Sequence, residues 1–463
     1  MIEDLKPYPQ YKDSGLPWLG EVPAHWEIRR NGGLFQQRND SGANELPILE
    51  VSLRTGVRVR DFATSKRKQV MTDRSKYKRA GQGDLVYNMM RMWQGAAGIA
   101  PVSGLISPAY VVCRALPGID SSYFSRLFKT DDYLAEIDAA SRGIVKDRNR
   151  LYWDQFKQIC SPLPPASEQV AIARFLTWAT NRLDRAIGAK RRIIALLQEQ
   201  KQAIIHRAVT RGLDPAVPLK DSGIPWLGEI PEHWEVRRAK YLFREVDRRS
   251  QTGTETHLAM SQRLGLVPSS MVQSTLRSQS YAGGKLCSSG DLVLNRLKAH
   301  LGVFAVAKQD GVISPDYTVL REQALAHADY YACILKSPGC RGELQTRAKG
   351  IVEGFWRLYT DDFYEIRLPT PPIDEQLLIM DLASQQTRGQ ETAISRLESE
   401  ITLLREYRTR LIADVVTGKL DVREVAKGLP EDVEPPIQSD AAGYDGDEAE
   451  DDSDSDPIDT EEV

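Results

Sequence analysis

The stretch Lys12–Arg30 reads KDSGLPWLGEVPAHWEIRR, and the chain repeats it at Lys220–Arg238 as KDSGIPWLGEIPEHWEVRR. Fifteen of the nineteen positions are identical, and three of the four differences exchange one aliphatic residue for another. The two copies are 208 residues apart, which is far longer than the unit of a solenoid. The chain is therefore predicted to contain two copies of one module.

Shorter segments recur at nearly the same spacing through the rest of each copy. The clearest are Gly83–Val86 with Gly290–Val293, Gly104–Pro108 with Gly311–Pro315, and Arg150–Tyr152 with Arg357–Tyr359. Within each module, short apolar runs separated by Gly, Pro and Ser predict strands. In the first copy these are Leu46–Leu53, Asp84–Asn88, Gly98–Val102 and Tyr110–Arg114, and Ser121–Ala140 is predicted to form one helix.

A long helix is predicted to close each module, after a proline-rich hinge at 162–165 or 369–372. Ser167 and Asp374 are the predicted N-caps, each followed by a glutamate, and Gly212 and Gly418 are the predicted stop signals. Apolar residues at a spacing of four and three indicate a coiled-coil seam between the helices. The alternative is burial of this stripe against the globular part of the same module. The predicted pairing residues are Ile187, Ile194, Leu197, Ile204, Ile394, Leu397, Ile401, Leu404, Leu411 and Val415.

Two copies that pair through such helices usually adopt twofold symmetry, which makes the helices antiparallel. The thirty residues from Asn181 to Thr210 would span about 45 Å, slightly more than the ~34 Å between successive major grooves on one face of DNA. The predicted fold is therefore mixed α/β, a duplicated chain with two globular domains joined by an antiparallel coiled coil. The predicted boundaries are 1–165 and 213–372 for the globular domains, 166–212 and 373–422 for the helices, and 423–463 for an acidic tail.

The composition is that of an ordinary globular protein, with 41% hydrophobic and 27% charged residues among 463. No apolar run is long enough for a membrane span, and the start of the chain lacks the pattern of a secretory signal, so the cytoplasm is the expected location. The five cysteines form no C-x-x-C pair, which disfavours a disulfide framework or a cysteine zinc site.

Charge is distributed unevenly along the chain. Glu431–Val463 holds fifteen acidic and no basic residues, a composition that predicts disorder. The preceding 430 residues therefore carry 49 acidic and 61 basic residues, a net charge of +12. A basic body favours a polyanionic partner, although a solvated basic surface is an equally plain explanation of the charge alone.

The repeated D-S-G-x-P-W-L-G-E-x-P-x-H-W-E block, G-D-L-V, I-S-P-x-Y and P-P-x-x-E-Q segments together resemble the specificity (S) subunit of type I restriction–modification systems. The resemblance covers Lys12 to Asp421 and both modules. It implies that each globular part is a target recognition domain that reads one half of a split sequence in double-stranded DNA. It further implies that the helices set the gap between the half-sites and carry methyltransferase (M) subunits, of which two are expected.

The same resemblance implies a noncatalytic chain that directs N6-adenine methylation by the M subunits and ATP-dependent restriction by restriction (R) subunits. S-adenosylmethionine, ATP and Mg²⁺ are then expected on those partners, and no cofactor or metal is expected on this chain. The sequence agrees in lacking a phosphate-binding loop and histidines at zinc-ligand spacing. Ser107–Tyr110 and Ser314–Tyr317 only faintly resemble the Asn/Asp-Pro-Pro-Tyr motif of amino-methyltransferases and are interpreted as turns. The alternative function is a stand-alone DNA-binding scaffold that has lost its catalytic partners.

The duplication separates two classes of candidate DNA-binding residue. Arginines that recur in both copies suit phosphate contacts or structural roles, and the recurrent Asn88 and Asn295 suit a turn or a contact. Polar residues beside them that differ between copies suit base edges, with solvated surface charge as the alternative. The full candidate set is Arg54, Arg58, Arg60, Asn88, Arg91, Gln94, Lys146, Arg148, Asn149, Arg150, Gln262, Arg263, Asn295, Arg296, Lys298, His300, Glu353 and Arg357.

Aromatic residues at the opening of each module are predicted to be core or docking residues rather than stacking surfaces for bases. These are Trp18, Trp26, Trp226 and Trp234. The adjacent His25 and His233 are predicted to pack or to make a local hydrogen bond rather than to bind metal.

Removal of Glu431–Val463 is expected to leave the thermal unfolding temperature of the remaining chain unchanged, because a segment this acidic and apolar-poor buries no core. Differential scanning calorimetry of the full and truncated chains tests this. A large drop in unfolding temperature on truncation would show that the tail packs against the body.

Overall fold

The structure is a computed structural model that describes residues 5–41, 45–53, 55–61, 76–143, 149–261, 264–272, 281–350 and 356–430. The acidic segment Glu431–Val463 lies outside the described residues. None of the described helices is both long enough and apolar enough to cross a membrane.

The chain divides into two compact units. The first comprises Met1–Arg191 and Glu398–Asp440, and the second comprises Arg192–Leu397 and Ala441–Val463. Each unit therefore contains the globular part of one predicted module together with a segment of each long helix.

The first unit is built on a four-stranded antiparallel sheet in the order β4-β11-β8-β9. Its inner strands consist largely of Val, Leu and Tyr, whose branched and aromatic side chains favour strands. The remaining strands form two-stranded pairs around this sheet. The strands are β1 Tyr11–Asp13, β2 Glu21–Pro23, β3 Glu27–Arg30, β4 Phe35–Arg38, β5 Leu49–Ser52, β6 Gly56–Val59, β7 Lys78–Ala80, β8 Leu85–Asn88, β9 Ala97–Ile99, β10 Gly104–Ile106, β11 Tyr110–Ala115 and β12 Cys160–Leu163.

The second unit has a four-stranded antiparallel sheet in the corresponding order, β16-β23-β20-β21. The register also corresponds, because Asn88 pairs with Tyr110 in the first sheet and Asn295 pairs with Tyr317 in the second. The strands are β13 Leu219–Asp221, β14 Glu229–Pro231, β15 Glu235–Arg238, β16 Phe243–Glu245, β17 Leu258–Ser261, β18 Gly265–Pro268, β19 Lys285–Cys287, β20 Leu292–Asn295, β21 Phe304–Val306, β22 Gly311–Ile313, β23 Tyr317–Glu322 and β24 Arg367–Thr370.

Short helices pack on each sheet, and two long helices follow them. The prediction of a single helix over Ser121–Ala140 was wrong: the segment forms two helices separated at Phe128–Thr130, where Thr130 Oγ1 bonds the Leu127 carbonyl. The predicted strand at Gly98–Val102 begins one residue earlier and ends at Ile99. The helices are α1 Ser121–Leu127, α2 Asp131–Ala140, α3 Trp153–Phe156, α4 Ala166–Arg211, α5 Ala328–Lys336, α6 Pro338–Arg347, α7 Thr360–Tyr364, α8 Ile373–Val416 and α9 Arg423–Lys427.

The long helices begin earlier than their predicted N-caps. Because the carbonyl of Pro165 already accepts from two amides of the first turn, Ser167 lies inside α4. Pro372 makes the same contacts at the start of α8, and Asp374 lies inside that helix. A side-chain cap is therefore not needed at either position, although the predicted glutamates do lie in the first turns.

A carboxylate joins the first turn of each long helix to the opening block of its unit, and its side chain is 4% exposed in the first unit and 26% exposed in the second. Glu168 Oε1 accepts a hydrogen bond from Trp26 Nε1 at 2.9 Å, and its Oε2 lies 2.8 Å from His25 Nε2. Glu375 makes the corresponding contacts to Trp234 at 3.0 Å and to His233 at 2.8 Å. The local hydrogen bond predicted for both histidines is thereby confirmed.

The opening tryptophans lie in the cores or pack against them, in agreement with the prediction of core or docking residues. Trp26 and Trp234 are both fully buried, and Trp18 packs edge-on against Tyr133 with ring centroids 5.2 Å apart. Trp226 is half-buried against the core of the second unit.

The far end of a long helix also packs into each unit. In the first unit, Tyr123 Oη donates to the carbonyl of Val416 near the end of α8, at 2.8 Å. In the second, Tyr330 Oη donates to Val209 near the end of α4, also at 2.8 Å. Such bonds satisfy carbonyls that a helix C-terminus leaves without intrahelical partners. The predicted stop residues Gly212 and Gly418 follow with positive φ, as left-handed helix ends require.

Within each unit, the segments of α4 and α8 are linked by ion pairs. The first unit contains Lys190 with Glu400 and Arg408 with Asp184, and the second contains Lys201 with Glu391. All ten predicted seam residues are buried or half-buried. Ile187, Ile401, Leu411 and Val415 are buried, and Ile194, Leu197, Ile204, Ile394, Leu397 and Leu404 are half-buried.

Gly418→Ala is expected to destabilise the chain more than Gly15→Ala. Both glycines have positive φ (+82° and +70°), where a side chain costs about 1–2 kcal/mol. A Cβ at Gly15 would have no neighbour within 4 Å, whereas one at Gly418 would overlap Pro23 and Trp26. Urea unfolding should therefore show a loss of about 1 kcal/mol for Gly15→Ala and a clearly larger loss for Gly418→Ala. Equal losses would contradict the packing at Gly418.

Candidate nucleic-acid-binding surface

The loop that follows the central strand β8 is fixed by an asparagine, and so is its counterpart after β20. Asn88 Oδ1 accepts from the Met90 amide at 2.9 Å, and Asn295 Oδ1 accepts from the Leu297 amide at 3.1 Å. Asn88 is buried, with 2% of its surface exposed. Of the two roles considered for these asparagines, the geometry gives Asn88 that of a turn residue.

A pair of basic residues lies beside each loop. Arg142 and Arg150 form an antiparallel bridge in the first unit, as Lys349 and Arg357 do in the second. The residue that follows Arg150 or Arg357 is hydrogen-bonded to the loop. The Leu151 amide donates to the Met89 carbonyl, and the Leu358 amide donates to the Arg296 carbonyl. We name 88–94 with Arg142 and Arg150 the first loop surface, and 295–301 with Lys349 and Arg357 the second loop surface.

The first loop surface brings together three more of the predicted residues, and a fourth, Asn149, adjoins it. Gln94 and Arg150 are exposed, and Arg91 is half-buried. Asn149 is half-buried and donates to Asp138 at 3.2 Å. The predicted Arg58 and Arg60 instead belong to the β5–β6 hairpin, where Arg58 Nε lies 2.7 Å from Glu50 and Arg60 Nε lies 3.9 Å from the same carboxylate.

The second loop surface contains the remaining described candidates. Lys298 and Arg357 are exposed, and Arg296 is half-buried with its Nε donating to Thr318 Oγ1 at 2.8 Å. His300 lies beside Trp356, with ring centroids 5.8 Å apart. The Nδ1 atom of His300 is buried and has no hydrogen-bond partner among the described residues.

Six predicted residues lie outside the described part of the chain. These are Arg54, Lys146, Arg148, Gln262, Arg263 and Glu353.

Two lysines near the loops were missed by the sequence interpretation. Lys78 donates to the Tyr110 carbonyl at 2.9 Å, and burial lowers the pKa of its amino group. Lys285 is 1% exposed, and its Nζ lies 3.2 Å from Glu245 Oε1. The 207-residue spacing that relates Lys78 to Lys285 could have identified them, because the same spacing relates Arg142 to Lys349.

Amide and cationic side chains at exposed loops can donate hydrogen bonds to phosphates and to base edges. No cluster of three or more His, Cys, Asp or Glu side chains suited to a metal occurs within the described ranges.

Comparison with known proteins finds specificity subunits of type I restriction enzymes among the relatives. A type I restriction enzyme specificity subunit of Methanocaldococcus jannaschii, MjaX, is 25% identical over 247 residues, or 47% of this chain. The MjaVIII specificity subunit of the same organism is 36% identical over 85 residues, or 18% of this chain. The chain resembles type I restriction enzyme specificity subunits. The matched region covers 52% of the first relative and 18% of the second. No family model matches the chain.

Solved structures extend this likeness to the fold. A chain in a structure of a type I restriction–modification system matches 86% of this chain and 99% of its own length, with a TM-score of 0.59 and 16% identity. The HsdS subunit of Thermoanaerobacter tengcongensis matches 86% of this chain and 98% of its own, with a TM-score of 0.44 and 16% identity. The first of these matches shows that the fold is shared.

Asn88→Ala is expected to lower the free energy of unfolding by about 1–3 kcal/mol, because it leaves a loop amide without its acceptor in a buried position. Asn295→Ala is the matched control. Its loss should be smaller, because Asn295 is half-buried and water can replace the lost acceptor. Chemical denaturation of both variants measures the difference, and a larger loss for Asn295→Ala would contradict it.

Proposed function

We propose that this chain is the specificity subunit of a type I restriction–modification complex and that it binds a bipartite DNA target. The observation that carries the proposal is the recurrence of one loop surface on one sheet architecture in both units, with different polar side chains in each. A shared backbone with differing donors suits two domains that read different half-sites. The likeness to specificity subunits in sequence and fold supports the same function.

The duplicated organisation assigns one half-site to each unit. Pairing of α4 and α8 as an antiparallel coiled coil would hold the half-sites at a fixed gap. This part of the proposal rests on the repeat at Lys12–Arg30 and Lys220–Arg238, on the buried or half-buried apolar seam, and on the α4–α8 ion pairs within each unit.

Catalysis is assigned to partners rather than to this chain. Methyltransferase subunits, two in number, would bind S-adenosylmethionine and methylate adenine at N6, and restriction subunits would use ATP and Mg²⁺. The chain itself would work in the cytoplasm as the subunit that selects the DNA sequence.

A genome-wide map of N6-methyladenine tests this function. The chain is expressed with the methyltransferase subunit encoded beside it, in a host that lacks adenine methylation. The expected result is a split motif with an unspecified gap, which disappears when this chain is omitted. If a soluble complex forms and no methylation appears, the specificity function is wrong and the chain is an inactive or repurposed scaffold.

A methyl-transfer assay tests the assignment of catalysis. The purified chain alone is expected to transfer no methyl group from radiolabelled S-adenosylmethionine to DNA, and addition of the methyltransferase subunit should restore transfer. Transfer by the chain alone would contradict the noncatalytic assignment.

A further inference from the structure

The two units differ sharply at the residue that follows the loop asparagine. Met89 occupies this position in the first unit and Arg296 in the second. Arg296 is half-buried, and its guanidinium contacts two polar side chains. Its Nε donates to Thr318 Oγ1 at 2.8 Å, and its Nη2 lies 3.5 Å from Glu245 Oε1.

The carboxylate that contacts Arg296 also contacts a lysine, and the backbone of the same residue is held by a tyrosine. Lys285 Nζ lies 3.2 Å from the same Oε1 atom, and Lys285 is almost fully buried. The backbone amide of Glu245 donates to Tyr364 Oη at 2.7 Å. Because a buried ammonium requires a counter-charge, Lys285 strongly favours this position of Glu245.

The network leaves the outer end of Arg296 available. A guanidinium has five N–H donors, and the network engages one on Nε and one on Nη2. Among the described residues, none accepts a hydrogen bond from Nη1. Two cations share one oxygen of Glu245, and Lys285 Nζ also lies 3.8 Å from Asp247 Oδ1, so two carboxylates contact this cationic pair.

The corresponding positions of the first unit hold no such network. In the registers of the two sheets, Gln37 stands where Glu245 stands, and Val111 stands where Thr318 stands. Lys78, the counterpart of Lys285, donates to a backbone carbonyl instead. The first unit therefore presents Met89 with no arginine, carboxylate or hydroxyl at the equivalent place.

We propose that Arg296 reads a guanine in the half-site of the second unit, and that Glu245, Lys285 and Thr318 are positioning residues for it. The inference rests on the proposed function. The terminal nitrogens of a guanidinium match the O6 and N7 acceptors of guanine in the major groove. Holding the side chain in place before DNA binds reduces the entropy lost on contact.

Base preference in the Arg296→Met variant tests the proposal, since methionine is the residue of the first unit. The variant is co-expressed with the methyltransferase subunit, and its N6-methyladenine motif is compared with that of the unaltered chain. The motif of the unaltered chain should contain a guanine in the half-site of the second unit. In the variant, the preference for that guanine should fall about tenfold or more, while the other half-site stays unchanged. Competition between duplexes that carry each base at that position quantifies the change.

Further variants separate base reading from a structural ion pair. Arg296→Lys keeps the charge and can still donate to guanine, so it should weaken the guanine preference less than Arg296→Met does. Thr318→Val and Glu245→Gln should weaken that preference severalfold with the rest of the motif intact. Lys298→Ala, at the exposed neighbour, should weaken binding equally for all sequences and reduce its salt dependence.

Distinct results would overturn the inference and the function. An unaltered chain that directs no methylation would reject the proposed function. An unaltered chain that methylates a motif, while Arg296→Met and Thr318→Val leave every base preference unchanged, would reject only the role of Arg296. Loss of methylation in Arg296→Met together with a lowered unfolding temperature and unchanged preferences in the other variants would show a structural ion pair.

Discussion

The carboxylate in the first turn of each long helix is the contact on which the rest of each unit depends. Glu168 accepts hydrogen bonds from Trp26 and Tyr8 and lies 2.8 Å from His25 Nε2, so this one side chain connects the helix directly to the opening block. A carboxylate removed from water must be fully hydrogen-bonded, so the burial of Glu168 requires that its hydrogen-bond partners stay in place. With the helix start fixed here and a second helix end fixed by Tyr123, the sheet that holds the loop surface has a rigid support.

The two units satisfy this constraint with different surroundings. In the second unit the chain runs continuously from Gly212 into β13, and the side chain of Glu375 is 26% exposed. The first unit instead brings together the two ends of the described chain, since the amide of Asp421 donates to the carbonyl of Lys6. That junction places Arg423 over the ring of Tyr8, whose hydroxyl donates to Glu168, and the side chain of Glu168 is only 4% exposed.

The loop surfaces combine a common frame with individual chemistry. Asn88 and Asn295 shape the same turn, and the adjoining basic pairs are bonded to the loop by the same backbone contacts. The side chains that extend from this shared backbone differ between the two units, as Met89 and Arg296 do. A frame of this kind allows one unit to change its polar contacts while its core, its helix contacts and the other unit stay unchanged.

Local and repeated features were determined by the sequence itself. The repeat at Lys12–Arg30, the long helices and their glycine ends follow from identity, periodicity and backbone preference, each of which acts over short stretches. The helix starts were misplaced because Pro165 supplies a backbone carbonyl where a side-chain cap was expected. Only the tertiary structure decided which polar groups meet. Glu245, Lys285 and Arg296 come from three different strand ends, and a carboxylate shared between two cations depends on sheet register, which residue spacing alone does not encode.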